Sequence, residues 1–88
     1  MGVKRCIQFK KDWKRAAKQG HDMEEVRALM RSIAEGKPLD PKHQAHPLHG
    51  NGRKIIECHV KPNLLLTYKQ TGKDIIFERL GSHPEIFG

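Results

Sequence analysis

Lys54-Ile-Ile-Glu-Cys-His-Val60 and Leu64-Leu-Leu-Thr-Tyr-Lys69 stand on either side of Lys61-Pro-Asn63. Apolar, β-branched and aromatic residues dominate both runs, and proline with asparagine between them is turn chemistry. The pattern predicts an antiparallel hairpin. Alternation sorts the first run, with Ile56, Cys58 and Val60 on one face and Glu57 and His59 on the other. Gln70-Thr-Gly-Lys73 then makes a second hairpin connection, into a strand over Asp74 to Leu80.

Upstream, Val3 to Phe9 reads as a short strand with a charged interruption. Lys10 to Gln19 carries Phe9, Trp13 and Ala16/Ala17 at helical steps, and Gly20 closes that helix. Asp22 is an N-cap with Glu25 three residues on, and Met23, Val26, Leu29/Met30 and Ile33 form the apolar face of a second helix. Gly36 and Pro38 end it. Gly36 to Gly52 shows neither period, and is expected to be a long loop of the kind that often carries function. The order is β-α-α-β-β-β. Residues 1–88 are therefore expected to form one α+β domain, a helical hairpin packed on a largely antiparallel four-stranded sheet.

The chain has 88 residues and a formal net charge of +7. Lys4, Arg5, Lys10, Lys11, Lys14, Arg15 and Lys18 face a single acid, Asp12, so almost all of that excess lies in the first fifth of the chain. Lys10, Lys14 and Lys18 recur at four-residue steps, and with Lys11 and Arg15 they would make a basic helix surface for an RNA or an acidic protein. Cys6 and Cys58 lack CxxC spacing and read as reduced thiols of a cytoplasmic protein. No apolar run approaches the roughly 20 residues that span a bilayer, and no apolar stretch of the signal-peptide kind precedes Lys4.

Histidines carry the chemical signal. His46 lies in His46-Pro-Leu-His-Gly50, His59 in Cys58-His-Val-Lys-Pro-Asn63, and His83 in Gly81-Ser-His-Pro-Glu-Ile-Phe-Gly88. Imidazole exchanges a proton near neutral pH. In the last strand, Phe77, Arg79, Gly81 and His83 share a parity opposite Ile76 and Leu80. With the apolar parities on the helices, Glu57, His59, Arg79 and His83 fall on the open sheet face, within reach of His46. A carboxylate, an arginine and three imidazoles suit RNA cleavage. One group takes the 2′-hydroxyl proton, a cation stabilises the charged transition state, and another group protonates the leaving 5′-oxygen. The 2′-hydroxyl is an internal nucleophile, so neither metal nor cofactor is needed.

Taken singly, these residues have plainer readings. His21, His43 and His49 are assigned to the surface, and Trp13 to the core. Glu57 and Arg79 could form a cross-strand ion pair worth about 0–1 kcal/mol if exposed. The lysine stripe could be solvated. Cys58-His59 has no second ligand pair at metal-site spacing.

The segments Phe9-Lys-Lys-Asp-Trp-Lys-Arg15, Gly36-Lys-Pro-Leu39, His46-Pro-Leu-His-Gly50, Glu57-Cys-His-Val-Lys-Pro62 and Arg79-Leu-Gly-Ser-His-Pro-Glu-Ile-Phe87, in this order, resemble the YafQ branch of the RelE superfamily of bacterial toxins. The resemblance covers essentially the whole chain. It implies a ribosome-dependent endoribonuclease that cuts mRNA in the aminoacyl site. It also implies a neutralising acidic antitoxin, expected to begin with a ribbon-helix-helix, and a toxin that is monomeric until it joins that partner. By the same resemblance His46, His59 and His83 are catalytic, Glu57 and Arg79 match an acidic and a basic position, and Phe87 aligns the substrate base. Three positions depart from the relatives. Asn63 stands where aspartate is frequent, Leu64 where tryptophan is, and Ile56 where arginine is. Asn63 cannot exchange a proton, though it can donate a hydrogen bond to substrate. The alternatives are a non-catalytic module that binds RNA or an acidic protein, and a metal-binding regulator resting on histidine count alone.

Overall fold

The computed structural model describes residues 2–48, 55–72 and 74–88. In chain order it contains strand β1 (Val3–Arg5), helix α1 (Ile7–Lys18), helix α2 (Met23–Ala34), a 3-10 turn (Pro41–His43), strands β2 (His46–Leu48), β3 (Ile55–Lys61), β4 (Leu64–Thr71) and β5 (Asp74–Gly81), and a short helix α3 (His83–Phe87). The α+β class and the helical hairpin follow the sequence reading. The sheet has five strands rather than four, in the order β1-β5-β4-β3-β2. Among the described residues no helix is long and apolar enough to cross a membrane.

Four features differ from expectation. The first strand stops at Arg5, because the Cys6 side chain accepts the Phe9 N–H and starts α1 three residues earlier than predicted. Part of the expected long loop is β2, an edge strand, where Pro47 costs no ladder bond to a further neighbour. Residues 49–52 of that loop, His49 among them, with Lys54 of the expected third-last strand and Lys73 of the second hairpin connection, lie outside the described residues. In β5, Thr67 pairs with Arg79 but Tyr68 pairs with Phe77, so Glu78 forms a bulge. The bulge moves Phe77 to the core while Arg79 stays on the open face; strict alternation would have left them together. Finally, His83 does not continue β5 but opens α3, which Ser82 and Glu85 start with a reciprocal capping box.

The helices behave as their punctuation dictates. Gly20 takes φ 87°, the left-handed conformation that lets the chain turn from α1 toward α2. Asp22 accepts from Glu24 N and Glu25 N. The Glu25 carboxylate, rather than closing a capping box, reaches Lys61 Nζ at 3.6 Å and ties α2 to β3. Between helices and sheet lies one core, with Phe9, Val26, Cys58, Leu66, Phe77 and Leu80 all essentially inaccessible. Phe9 packs against Phe77 with ring centroids 5.8 Å apart. Trp13 is only half-buried, stacked on Phe9 with the Arg27 guanidinium 5.2 Å over its ring.

Candidate active site

Strand register builds the open face. His46 pairs with Glu57, Glu57 with Thr67, and Thr67 with Arg79, a single row across four strands. The neighbouring row is His59, Leu65 and Gly81. Leu65 and Thr67 are buried and form a floor between the polar groups. Four of the five residues expected to be catalytic therefore lie on two adjacent rows, and the fifth, His83, follows the end of the second.

At one end the geometry is direct. Glu57 Oε1 lies 3.3 Å from His46 Nε2 and 4.0 Å from His59 Nε2. The carboxylate side chain is 9% exposed, against 50% for His46 and 24% for His59. A nearly buried carboxylate thus sits between two accessible imidazoles. His43, which the sequence reading left on the surface, supports this end from behind. Its Nδ1–H donates to the His59 carbonyl at 2.6 Å, which fixes its tautomer and braces β3. A cleft of about 480 Å³ beside His59 is bordered by Glu25, Lys42, Gln44 and Lys61, of which Glu25 and Lys61 pair with each other.

At the other end α3 presents His83 and Phe87, both exposed, with ring centroids 4.8 Å apart. Asn63 lies exposed in the two-residue turn between β3 and β4, at the end of the sheet where Gly81 hands over to α3. Arg79 belongs to this end. Its Nε donates to Asp12 Oδ2 at 2.8 Å, and its Nη2 and Nη1 donate to the carbonyls of Glu85 and Ile86 at 3.1 and 3.5 Å. Three of its five N–H groups are engaged, and its side chain remains 30% exposed on the open face.

Asp12 is the residue that sequence reasoning missed. It was counted only as the lone acid in a basic segment, yet it is fully buried. Its signal was available, since it lies three residues after Phe9 and four before Ala16, on the buried stripe of α1. Burial works to raise its pKa, but hydrogen bonds from Arg79, the Leu80 N–H and Gln8, with the Arg79 charge, outweigh that and hold it below the usual carboxylate value. Arg15, expected on the RNA-facing stripe, is spent here, on Asp12 at 3.0 Å, on Glu85 at 3.1 Å and on the Leu80 carbonyl at 3.0 Å. Lys10, Lys11, Lys14 and Lys18 remain exposed. Gly81 is the close-approach position, where a Cβ would fall 2.7 Å from Arg15 Nη2.

Cys58 is no nucleophile. Burial, helped by the Glu57 charge, pushes its thiol up to about 12, and it points into the core, away from His59. Among the described residues no group of three His, Cys, Asp or Glu side chains is placed to hold a metal ion.

Across residues 1–88 the chain matches the family model described as bacterial toxin of type II toxin-antitoxin system, YafQ. The chain belongs to the YafQ family. It is 38% identical over 82 residues to the mRNA interferase toxin YafQ of Escherichia coli K12, covering 92% of this chain and 89% of that protein. The fold superposes on YafQ in the Escherichia coli DinJ–YafQ complex with a TM-score of 0.91 at 37% identity, covering 98% and 97% of the two chains. It superposes equally well, at 0.92 and 36% identity over 99% of both chains, on a metal-bound toxin from Helicobacter pylori. The YafQ relatives share the α+β architecture, with its mostly antiparallel sheet, on which the histidine rows are built.

Proposed function

We propose that this YafQ-family toxin is an mRNA endoribonuclease that acts in the ribosomal aminoacyl site, by acid–base chemistry on the 2′-hydroxyl. The Glu57 carboxylate between His46 and His59 carries this reading, because it couples two proton-exchanging groups at one end of a sheet face whose other end bears a third. In the reaction one proton-accepting group removes the 2′-hydroxyl proton, and that oxygen attacks the adjacent phosphorus. The 5′-oxygen leaves with a proton from a second group, giving a 2′,3′-cyclic phosphate and a 5′-hydroxyl. Glu57 holds the imidazole pair; His83 works from α3 with Phe87 beside it as a stacking surface for the base. Arg79 supplies fixed positive charge where the phosphorane gathers negative charge.

No metal enters this scheme, since the nucleophile belongs to the substrate. The exposed lysines of α1 lie on a helix rather than on the strands that carry His46, Glu57 and His59, and suit ribosomal RNA rather than the scissile codon. The partner that silences the toxin is an acidic antitoxin, by analogy with the DinJ–YafQ assembly.

Purified toxin incubated with mRNA, with and without programmed ribosomes, tests the reading. Cleavage within the aminoacyl-site codon, dependent on ribosomes and ending in a cyclic phosphate, is expected. Equal cutting of free mRNA would remove the ribosome from the mechanism, and a 3′-hydroxyl product would remove the 2′-hydroxyl attack.

A further inference from the structure

We propose that Asp12, buried on α1 and outside the histidine face, is a positioning residue that sets His83, acting through Arg79 and the terminal carbonyls of α3. The proposal rests on the cleavage reading above and deepens it.

Each Asp12 oxygen accepts twice. Oδ2 takes Arg79 Nε at 2.8 Å and the Leu80 N–H at 3.0 Å; Oδ1 takes Gln8 Nε2 at 3.1 Å and Arg15 Nη1 at 3.0 Å. One carboxylate thereby fixes the Arg79 side chain and the backbone of the strand that carries it. Arg79 passes the constraint on, because its far nitrogens donate to the carbonyls of Glu85 and Ile86. Those are end-of-helix carbonyls, whose intrahelical donors are missing, and an arginine is a suitable cap for them.

α3 depends on such tethers. Five residues are too few to hold a helix by propagation alone, so its placement follows from what binds it. Its outward polar links converge on α1: Arg15 and Gln19 reach Glu85 at 3.1 and 3.0 Å, and Arg79 reaches Asp12. Without the Asp12 charge, the Arg79 guanidinium would stand at the Leu80 backbone without its carboxylate, and Arg15 would keep Glu85 alone. Arg79 would then turn from the α3 carbonyls. A displacement of the order of 1 Å at a reacting group can lower a rate about a hundredfold.

The test is Asp12→Asn, which keeps shape while removing charge, with Ile33→Val as a core control of general stability. In single-turnover cleavage on programmed ribosomes, Asp12→Asn should slow the reaction about ten- to a hundredfold, and Ile33→Val should not. In a His83→Ala background, Asp12→Asn should cost clearly less than in the parent, because coupled residues are non-additive, and what remains is the contribution of Arg79 itself. In the NMR spectrum of the free toxin, the His83 imidazole signal should move while those of His46 and His59 stay. Equal losses in both backgrounds, or an unmoved His83 signal in a folded variant, would overturn the proposal. The NMR arm needs no cleavage, so it decides the relay even if the chain proves not to be a nuclease. Should Asp12→Asn fail to fold, Arg79→Gln takes its place in that arm; an unmoved His83 signal there would equally end the relay.

Discussion

At one edge of the sheet, β2 contributes three residues, and His46 is half-exposed with one 3.3 Å contact to Glu57. At the other, β1 pairs with β5 only as far as Phe77, and α1 takes over the rest of that edge. There Cys6 Sγ donates to the Glu78 carbonyl at 3.1 Å, Asp12 accepts the Leu80 N–H, and Arg15 donates to the Leu80 carbonyl. The first edge leaves a proton-exchanging group free to adjust to substrate. The second spends buried charge on rigidity. The stability of the fold should therefore depend more on the second edge than on the first.

The sharpest break would come from the histidines. His46→Ala and His83→Ala are each expected to lower single-turnover cleavage about 10²–10⁴-fold, with unfolding free energies within about 0.5 kcal/mol of the parent in urea titrations. A large stability loss in His46→Ala would show that the β2 edge is structural after all. Asp12→Ala, unlike the histidine variants, should be costly in equilibrium unfolding, by about 3–5 kcal/mol, because it removes the buried partner of Arg79 and one of the two carboxylates on Arg15. Less than about 1 kcal/mol would mean that water replaces the carboxylate and that the two edges are equally soft.

Replacing Lys10, Lys14 and Lys18 together by alanine should weaken ribosome binding and reduce the salt slope by about three units, one per phosphate contact. An unchanged slope would leave the stripe as solvated surface. At the turn, Asn63→Asp is expected to be neutral or to slow cleavage, because a new anion opposes the charge building on the phosphate. A gain of tenfold, about 1.4 kcal/mol of barrier, would move the acid–base assignment toward the β3–β4 turn.

The smallest effect concerns pH. The Ser82 N–H and Gln19, with Arg15 nearby, hold the Glu85 carboxyl at about 2, below its ordinary 4.5. A depressed carboxylate stabilises the fold above its unfolded pKa and loses that contribution as pH falls through the folded one. Melting temperature should therefore drop between about pH 4.5 and 2, and Glu85→Gln should flatten that slope. An unaltered slope would place the acid sensitivity elsewhere.

Much of this architecture is written locally. The hairpin from Ile55 to Thr71, both helices and the opposition of Cys58 to His59 follow from alternation, caps and turn residues. What was hidden is settled only by pairing. The Glu78 bulge exists because β4 and β5 fall out of step, and β2 forms because β3 offers it an edge. Glu57 and His59 could be grouped from parity alone, whereas His46 was expected to reach them from a loop and is placed by β2. The role of Asp12 could not be read in this way, since the strand end it grips lies 67 and 68 residues further along the chain.

That separation recurs at the start of the chain, where Val3–Arg5 runs parallel to Ile75–Phe77. Synthesis runs at about 5–20 residues per second, so β1 waits some seconds for its neighbour to be made. α3, with His83 and Phe87, is made after β5. While a ribosome is still extending the chain, β5 has no complete edge and the third histidine is absent. Neither the parallel edge nor the full histidine set can therefore form until β5 and α3 have been made.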